Sequence, residues 1–327
     1  MRGFVLGGVV CVATAAAACL NQQPQTPPPS TAEPDVAPTP VARAAPAPST
    51  PAPAAPPPAA SQRSADGAFA KALGSLHDAR LAVDHDGVVV AASGGCGDDP
   101  GPLYAGTREP GTFVLLAKLD KNGHRQWSRA FFAACGTGDA SAPAIAGVGI
   151  DKSGNIFVAG DVALGPGPLD FGGGALADGG GRDAFVASFD ASGQHRWSKR
   201  FGNASDQRVK SVAVSPEGLV GITGSLEGTA DFGNGVIKSA GKGDAFVAVF
   251  DAAGQHVASH AFGDPGEQHG ELIAFGKMGE LTLVGPYEGQ IDFGGGRRHP
   301  GTDHAPCDNP RPPQQPGRGP QWPTGSR

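Results

Sequence analysis

Cysteine is scarce in this 327-residue chain, five in all, and its 25 lysines and arginines are scattered among 31 acidic residues. With a net charge of −6 and no extended basic stripe, the chain has no footprint for tracking phosphates, so no nucleic-acid partner is expected. Gly-x-Ser-x-Gly is missing, and so is a P-loop lysine, which leaves the Gly-rich segments as loops without phosphate chemistry. No Asp-x-Asp-x-Asp-Gly calcium loop occurs, and none of His124, His195 and His256 has a second ligand at metal spacing. Neither a metal nor a cofactor is therefore expected. From Gln22 to Gln62 bulky aliphatic side chains are almost missing too. Such a stretch cannot bury enough surface to offset ordering entropy, so no core is expected there.

The one apolar run, Phe4 to Ala18, is too short to span a membrane and follows a single charge, Arg2. It ends in Ala16-Ala17-Ala18-Cys19 and resembles a bacterial lipoprotein signal, in which small residues precede a cysteine that is acylated and becomes the mature N-terminus. Residues 1–18 are then the signal and Cys19 the lipidation site; ordinary cleavage and an uncleaved segment are the alternatives. The departures are Ala16, where that signal usually has Leu, and a thin charged region. Residues 19–64 form a Pro/Ala-rich disordered tether. Its ~40 residues, at ~3.1 Å each in polyproline II, reach on the order of 100 Å. Membrane contact is expected through the lipid alone, at the bacterial outer membrane or cell surface, with secretion as the alternative.

Beyond the tether the chain repeats itself. Gly181 to Gly202 returns 61 positions later as Lys242 to Gly263, with 14 of 22 positions identical. Within each unit, alternating apolar segments are joined by four-residue turns: Asp120 to Gly123, Asp151 to Gly154, Asp190 to Gly193 and Asp251 to Gly254. Asp84 to Gly87, Ser215 to Gly218 and a degenerate Gly276 to Gly279 complete the set. An Asp that bonds its own backbone and a Gly that accepts φ > 0 give this spacing a hairpin mechanism. Two turns per unit describe four-stranded antiparallel blades. The fold class is all-β, a β-propeller-type array over residues 65–296, with a β-sandwich as runner-up.

Three full blades are expected, about 81–131, 145–201 and 209–262, with a half blade at 271–296. Phe69 to Gly74 aligns with Trp197 to Gly202 as an N-terminal copy of the fourth strand, which often completes the last blade of a propeller. After Gly296 alternation stops, and 297–327 is a disordered tail, the product of a frameshift or truncation or else an evolved basic tail. The segments Gly-x-Asp-Ala-Phe-Val-Ala-x-Phe-Asp-Ala-x-Gly and Asp151 to Gly160 resemble SBBP-type bacterial β-propeller repeats over roughly residues 66–296. That resemblance implies a secreted or surface-attached scaffold with no shared catalytic residues. Blade 1 departs from it: Leu103 to Gly106 replaces Asp-Phe-Gly, and Phe113 replaces the aspartate found at Asp183 and Asp244.

Cys96 and Cys135 follow the second and fourth strands of blade 1, so both connections emerge on one face and a disulfide is allowed; two free thiols are the alternative. Asp170, Asp231 and Asp292, and likewise Asp183 and Asp244, recur in step with the repeat, which assigns them to the scaffold. Trp127 and Trp197, with Phe131, Phe201 and Phe262, are expected to pack between blades. The expected function is a non-catalytic surface lipoprotein whose propeller scaffold binds a protein or glycan, with possible self-association through its open edge. A propeller hydrolase or lyase with an axial site and a truncated nonfunctional product are the alternatives.

Overall fold

The computed structural model describes residues 76–135, 142–163, 169–177, 179–277 and 279–293, with the backbone of 13–15, 62–63, 69–70 and 297–298. Cys19, most of the tether and the tail beyond Arg298 lie outside the described residues. Three sheets of four antiparallel strands follow one another along the chain. Blade 1 comprises His77–Val83, Gly87–Gly94, Thr112–Asp120 and Arg125–Ala133. Blade 2 comprises Ala144–Ile150, Ile156–Ala163, Arg182–Phe189 and His195–Phe201. Blade 3 comprises Gln207–Val214, Val220–Leu226, Asp244–Phe250 and His256–Phe262. A half blade follows, Leu272–Phe275 paired with Leu281–Val284, and Ala13–Ala15 lies along the free edge of its second strand.

The first strands of successive blades lie side by side, which makes them the inner strands of a radial array. Blade 2 shows why a sandwich does not form. Alternate side chains on its strands point to opposite faces. Val158, Phe185 and Phe189 pack on blade 1, whereas Phe157, Val186 and Phe201 pack on blade 3. Both faces are covered, so its second strand reads Ile-Phe-Val-Ala without polar alternation.

Phenylalanines join one blade to the next. Phe171 meets Phe131 at 5.1 Å, Phe232 meets Phe201 at 5.1 Å, and Phe293 meets Phe262 at 4.9 Å. Each comes from an Asp-Phe-Gly segment and inserts against the outer strand of the preceding blade. The aspartate ahead of it closes the loop: Asp170 Oδ1 accepts from the N–H groups of Gly172 and Gly174, and Asp231 Oδ1 from those of Gly233 and Gly235.

Two ends differ from expectation. Phe69–Ala70 pairs with Gln62–Arg63 in a two-stranded sheet and adds to no blade. Among the described residues the half blade has two strands of its own, and none of them is a third strand on which an added fourth would pair. At the other end, Arg297–Arg298 still pairs with Ile291–Asp292, two residues past Gly296.

Among the described residues no blade precedes blade 1, and its own 95–111 connection covers that face. Leu103 is fully buried there with Leu115 and Leu119, and Tyr104 meets Phe132 edge-on at 5.9 Å. Phe113, where other blades have aspartate, is buried in this cluster. A covering segment of this kind does for a terminal repeat what a neighbouring repeat does elsewhere.

Candidate functional site

The inner strand of each full blade carries a β-bulge near its start, at His77/Arg80, Ile145/Gly147 and Val209/Ser211. A bulge bends its strand and re-aims side chains, and here three of them lie around one mouth of the axis. The mouth opens into a cavity of about 230 Å³ lined by Asp78, Arg80, Asp161, Arg182, Arg208 and Lys210, with backbone from Ala144 to Ala146.

Asp161 and Arg182 reach it from the second and third strands of blade 2. The pairing registers put Asp161 level with Ser93 in blade 1 and Ser225 in blade 3. Arg182 likewise stands level with Thr112 and Gly243. The pair therefore breaks the repeat. Arg182 Nε donates to Asp161 Oδ1 at 2.5 Å, and the Val209 N–H of blade 3 donates to Asp161 Oδ2 at 3.2 Å. Asp161 is 4 % exposed. Burial pushes its carboxyl above the usual carboxylate value, against the opposing pull of Arg182, the Val209 N–H and Arg208.

The rim is built from shorter reaches. Arg208 pairs with Asp206 at 2.9 Å, and Asp206 also accepts from the Arg182 backbone N–H at 3.0 Å. These contacts hold the Asp206 carboxyl below its ordinary value despite partial burial. Arg80 crosses from blade 1 to donate to the Ala146 carbonyl at 3.2 Å. Among the described residues four cations thus line the cavity against two carboxylates, Asp78 and Asp161, in a chain whose overall charge is negative.

The residues expected from the sequence lie elsewhere. Cys96 and Cys135 form a disulfide with Cα atoms 5.8 Å apart, tying the start of the 95–111 cover to the end of the outer strand. Asp120, Asp151, Asp190 and Asp251 each accept two backbone N–H bonds within their own turns, which Gly123, Gly154, Gly193 and Gly254 close with positive φ. Asp183 faces Arg200 in a buried ion pair, and Asp244 accepts from the Ser239 hydroxyl and the Ala240 N–H. His195 and His256 lie under the Gly-rich loops and contact Ser198 and Ser259. None of these residues lines the axial cavity.

Two other places gather polar groups. A groove of about 530 Å³ on the outer strand of blade 1 is lined by Tyr104, Arg125, Trp127 and Arg129. There Trp127 already donates to Ala191 and Arg125 to the Pro102 and Leu103 carbonyls, so its most distinctive groups serve the scaffold. Asp84, His85 and Asp86 offer ligand atoms within 4.8 Å of one another. Asp84, however, is occupied by Lys118 Nζ at 2.9 Å and by the Asp86 and Gly87 N–H groups, so this cluster reads as a turn.

No protein-family model matches the chain. No curated protein matches it either. Among solved structures, that of a glycosyl hydrolase from Bacteroides ovatus aligns with 65% of this chain and 84% of its own length, at 9% identity and a TM-score of 0.23. A likeness that slight bears on neither fold nor function.

Proposed function

We propose that this chain is an exported, lipid-anchored bacterial binding module of the SBBP-repeat type, which presents a non-catalytic propeller-type scaffold to a glycan or protein partner. The observation that carries the reading is the axial cleft, where the repeat breaks and charge gathers. Asp161, its buried carboxylate, has both oxygens engaged, one by Arg182 and one by the Val209 N–H. A group held this way fixes geometry more readily than it exchanges a proton with a substrate. The Cys96–Cys135 disulfide fits an oxidising compartment outside the cytoplasm. The Pro/Ala-rich tether then holds the blades clear of the surface to which Cys19 is anchored.

A propeller hydrolase is the competing reading, and the raised Asp161 carboxyl is the observation in its favour. Two measurements on the full chain separate them. Palmitate labelling in a bacterial host is expected for the natural chain and lost in Cys19→Ser. Glycan and protein arrays are expected to show binding without product formation. Release of a cleaved product that Asp161→Asn abolishes would establish the enzyme, and an unlabelled chain that binds nothing would remove the proposed function.

A further inference from the structure

We infer that the axial cleft recognises the oxyanion of a single acidic sugar residue, with Arg208, Lys210 and Arg80 as its contacts and the Asp161–Arg182 pair as its floor. This rests on the binding-module reading and names its ligand class. Size comes first. A cavity of about 230 Å³ lies below the ~300–1,000 Å³ of pockets for drug-sized ligands, so it admits one ring-sized group and not an extended chain.

Composition comes second. No aromatic ring stands among its described lining residues, which supply no stacking for the face of a neutral sugar. Three guanidinium groups and one ammonium stand there instead. Guanidinium offers a planar fork that matches a carboxylate or phosphate with two parallel hydrogen bonds.

The division of labour follows from the existing contacts. Arg182 is committed to Asp161 and to the Ala142 and Asp161 carbonyls, so it orients the floor. Lys210 is exposed and can turn toward an entering anion, while Arg208, 54 % exposed at its side chain, donates Nε and Nη2 to Asp206 Oδ2, so an anion there competes with or shares that fork. Arg80 bridges blades 1 and 2 at the opposite side of the mouth. Positive charge in a recess on an otherwise acidic molecule also focuses the field and raises local anion concentration.

The oxyanion has two sources, the carboxylate of a hexuronate or the phosphate of a hexose phosphate, and one experiment distinguishes them. The full chain is titrated calorimetrically at low salt with glucuronate, glucose 6-phosphate and glucose. At least one acidic sugar is expected to bind about 10-fold or more tighter than glucose, and to weaken as salt rises. Tighter binding of glucuronate assigns the carboxylate; tighter binding of glucose 6-phosphate assigns the phosphate. Arg208→Gln with Lys210→Gln is expected to weaken the acidic sugar about 10-fold while the thermal midpoint stays put, because both side chains are on the surface. Equal affinity for glucose and the acidic sugars, no binding of either acid, or an unchanged affinity in that double variant would overturn the inference. Should arrays reveal a ligand whose binding ignores these substitutions, the acidic-sugar site fails while the binding-module reading stands.

Discussion

The indole N–H of Trp197 donates to the carbonyl of Ala252 at 3.0 Å, across the gap between blades 2 and 3. Trp127 repeats the bond to Ala191 at 3.1 Å, one blade earlier. Each ring lies against the turn glycine of the next blade, so that a Cβ built on Gly254 meets the Trp197 ring at 2.7 Å. Blade 3 has Ala258 at the corresponding place, and among the described residues the half blade beyond it has no second turn to receive an indole.

This latch makes Gly254 and Gly235 unequal. Both have positive φ, 80° and 96°, and Ala pays about 1–2 kcal/mol for that conformation at either site. Only Gly254 also displaces a tryptophan; at Gly235 nothing lies within 4 Å of the added carbon. Urea melts are expected to show Gly254→Ala clearly less stable than Gly235→Ala, and Trp197→Ala to destabilise by less than the ~3–5 kcal/mol of a fully buried tryptophan, since its ring is half-buried. Equal costs for the two glycines would show that the indole does not hold the turn.

Lys118 and Asp84 form a largely buried pair at 2.9 Å, with side chains 6 % and 13 % exposed. Burial opposes ionisation of Asp84, and the hydrogen bond from Lys118 with the Asp86 and Gly87 N–H groups overcomes it, leaving the carboxyl below its usual value. Asp84→Ala strands a buried ammonium and is expected to cost about 3–5 kcal/mol. Adding Lys118→Met should recover part of that loss, since Val249 and Ser188 fill the same strand position in the other blades. A double variant no more stable than Asp84→Ala alone would contradict this coupling.

The disulfide closes a segment of sequence separation 39 and ties down the cover over blade 1. Chain entropy for a loop of that length is worth about 3–4 kcal/mol. Cys96→Ser with Cys135→Ser is therefore expected to lower the thermal midpoint and expose the face beneath Leu103. Arg108 lies in the cover, 61 % exposed at its side chain and paired with Asp99. Trypsin should cut there faster in the double variant than in the oxidised chain, and identical cleavage rates would show that the bridge does not hold the cover.

The scaffold was legible in the sequence because its signals are local and repeated. An Asp that bonds its own turn works in every blade by the same geometry, and a phenylalanine after it always meets the outer strand of the blade before. The axial cleft was not legible by motif. Its side chains come from strands far apart in the chain, and three bulges are needed to turn them to one mouth. A signal was nonetheless present in the columns of the repeat, where Asp161 replaces serine and Arg182 replaces threonine or glycine. The cover over blade 1 was visible only as a departure, Leu103 to Gly106 for Asp-Phe-Gly and Phe113 for aspartate. What it covers is the face of blade 1 on which no described blade packs.

Acid titration should separate the scaffold carboxylates from the floor of the cleft by sign. The Ser192 hydroxyl and the Gln194 N–H hold the Asp190 carboxyl below its ordinary value of 3.8. Its contribution is then full above 3.8 and lost as pH falls through the lower folded value. Burial first, only partly offset by Arg182, raises Asp161 above 3.8, so the folded chain binds this proton more readily than the unfolded one. Its contribution is present below 3.8 and lost as pH rises through the raised folded value. Thermal midpoints of the natural chain, Asp190→Asn and Asp161→Asn should be compared from pH 3 to 7. The advantage of the natural chain over Asp190→Asn is expected to shrink toward pH 3. Its advantage over Asp161→Asn is expected to shrink in the other direction, as pH rises from 3.8 toward neutral. Two gaps that move the same way with pH would place Asp161 among the ordinary turn carboxylates and remove its distinct role beneath the cleft.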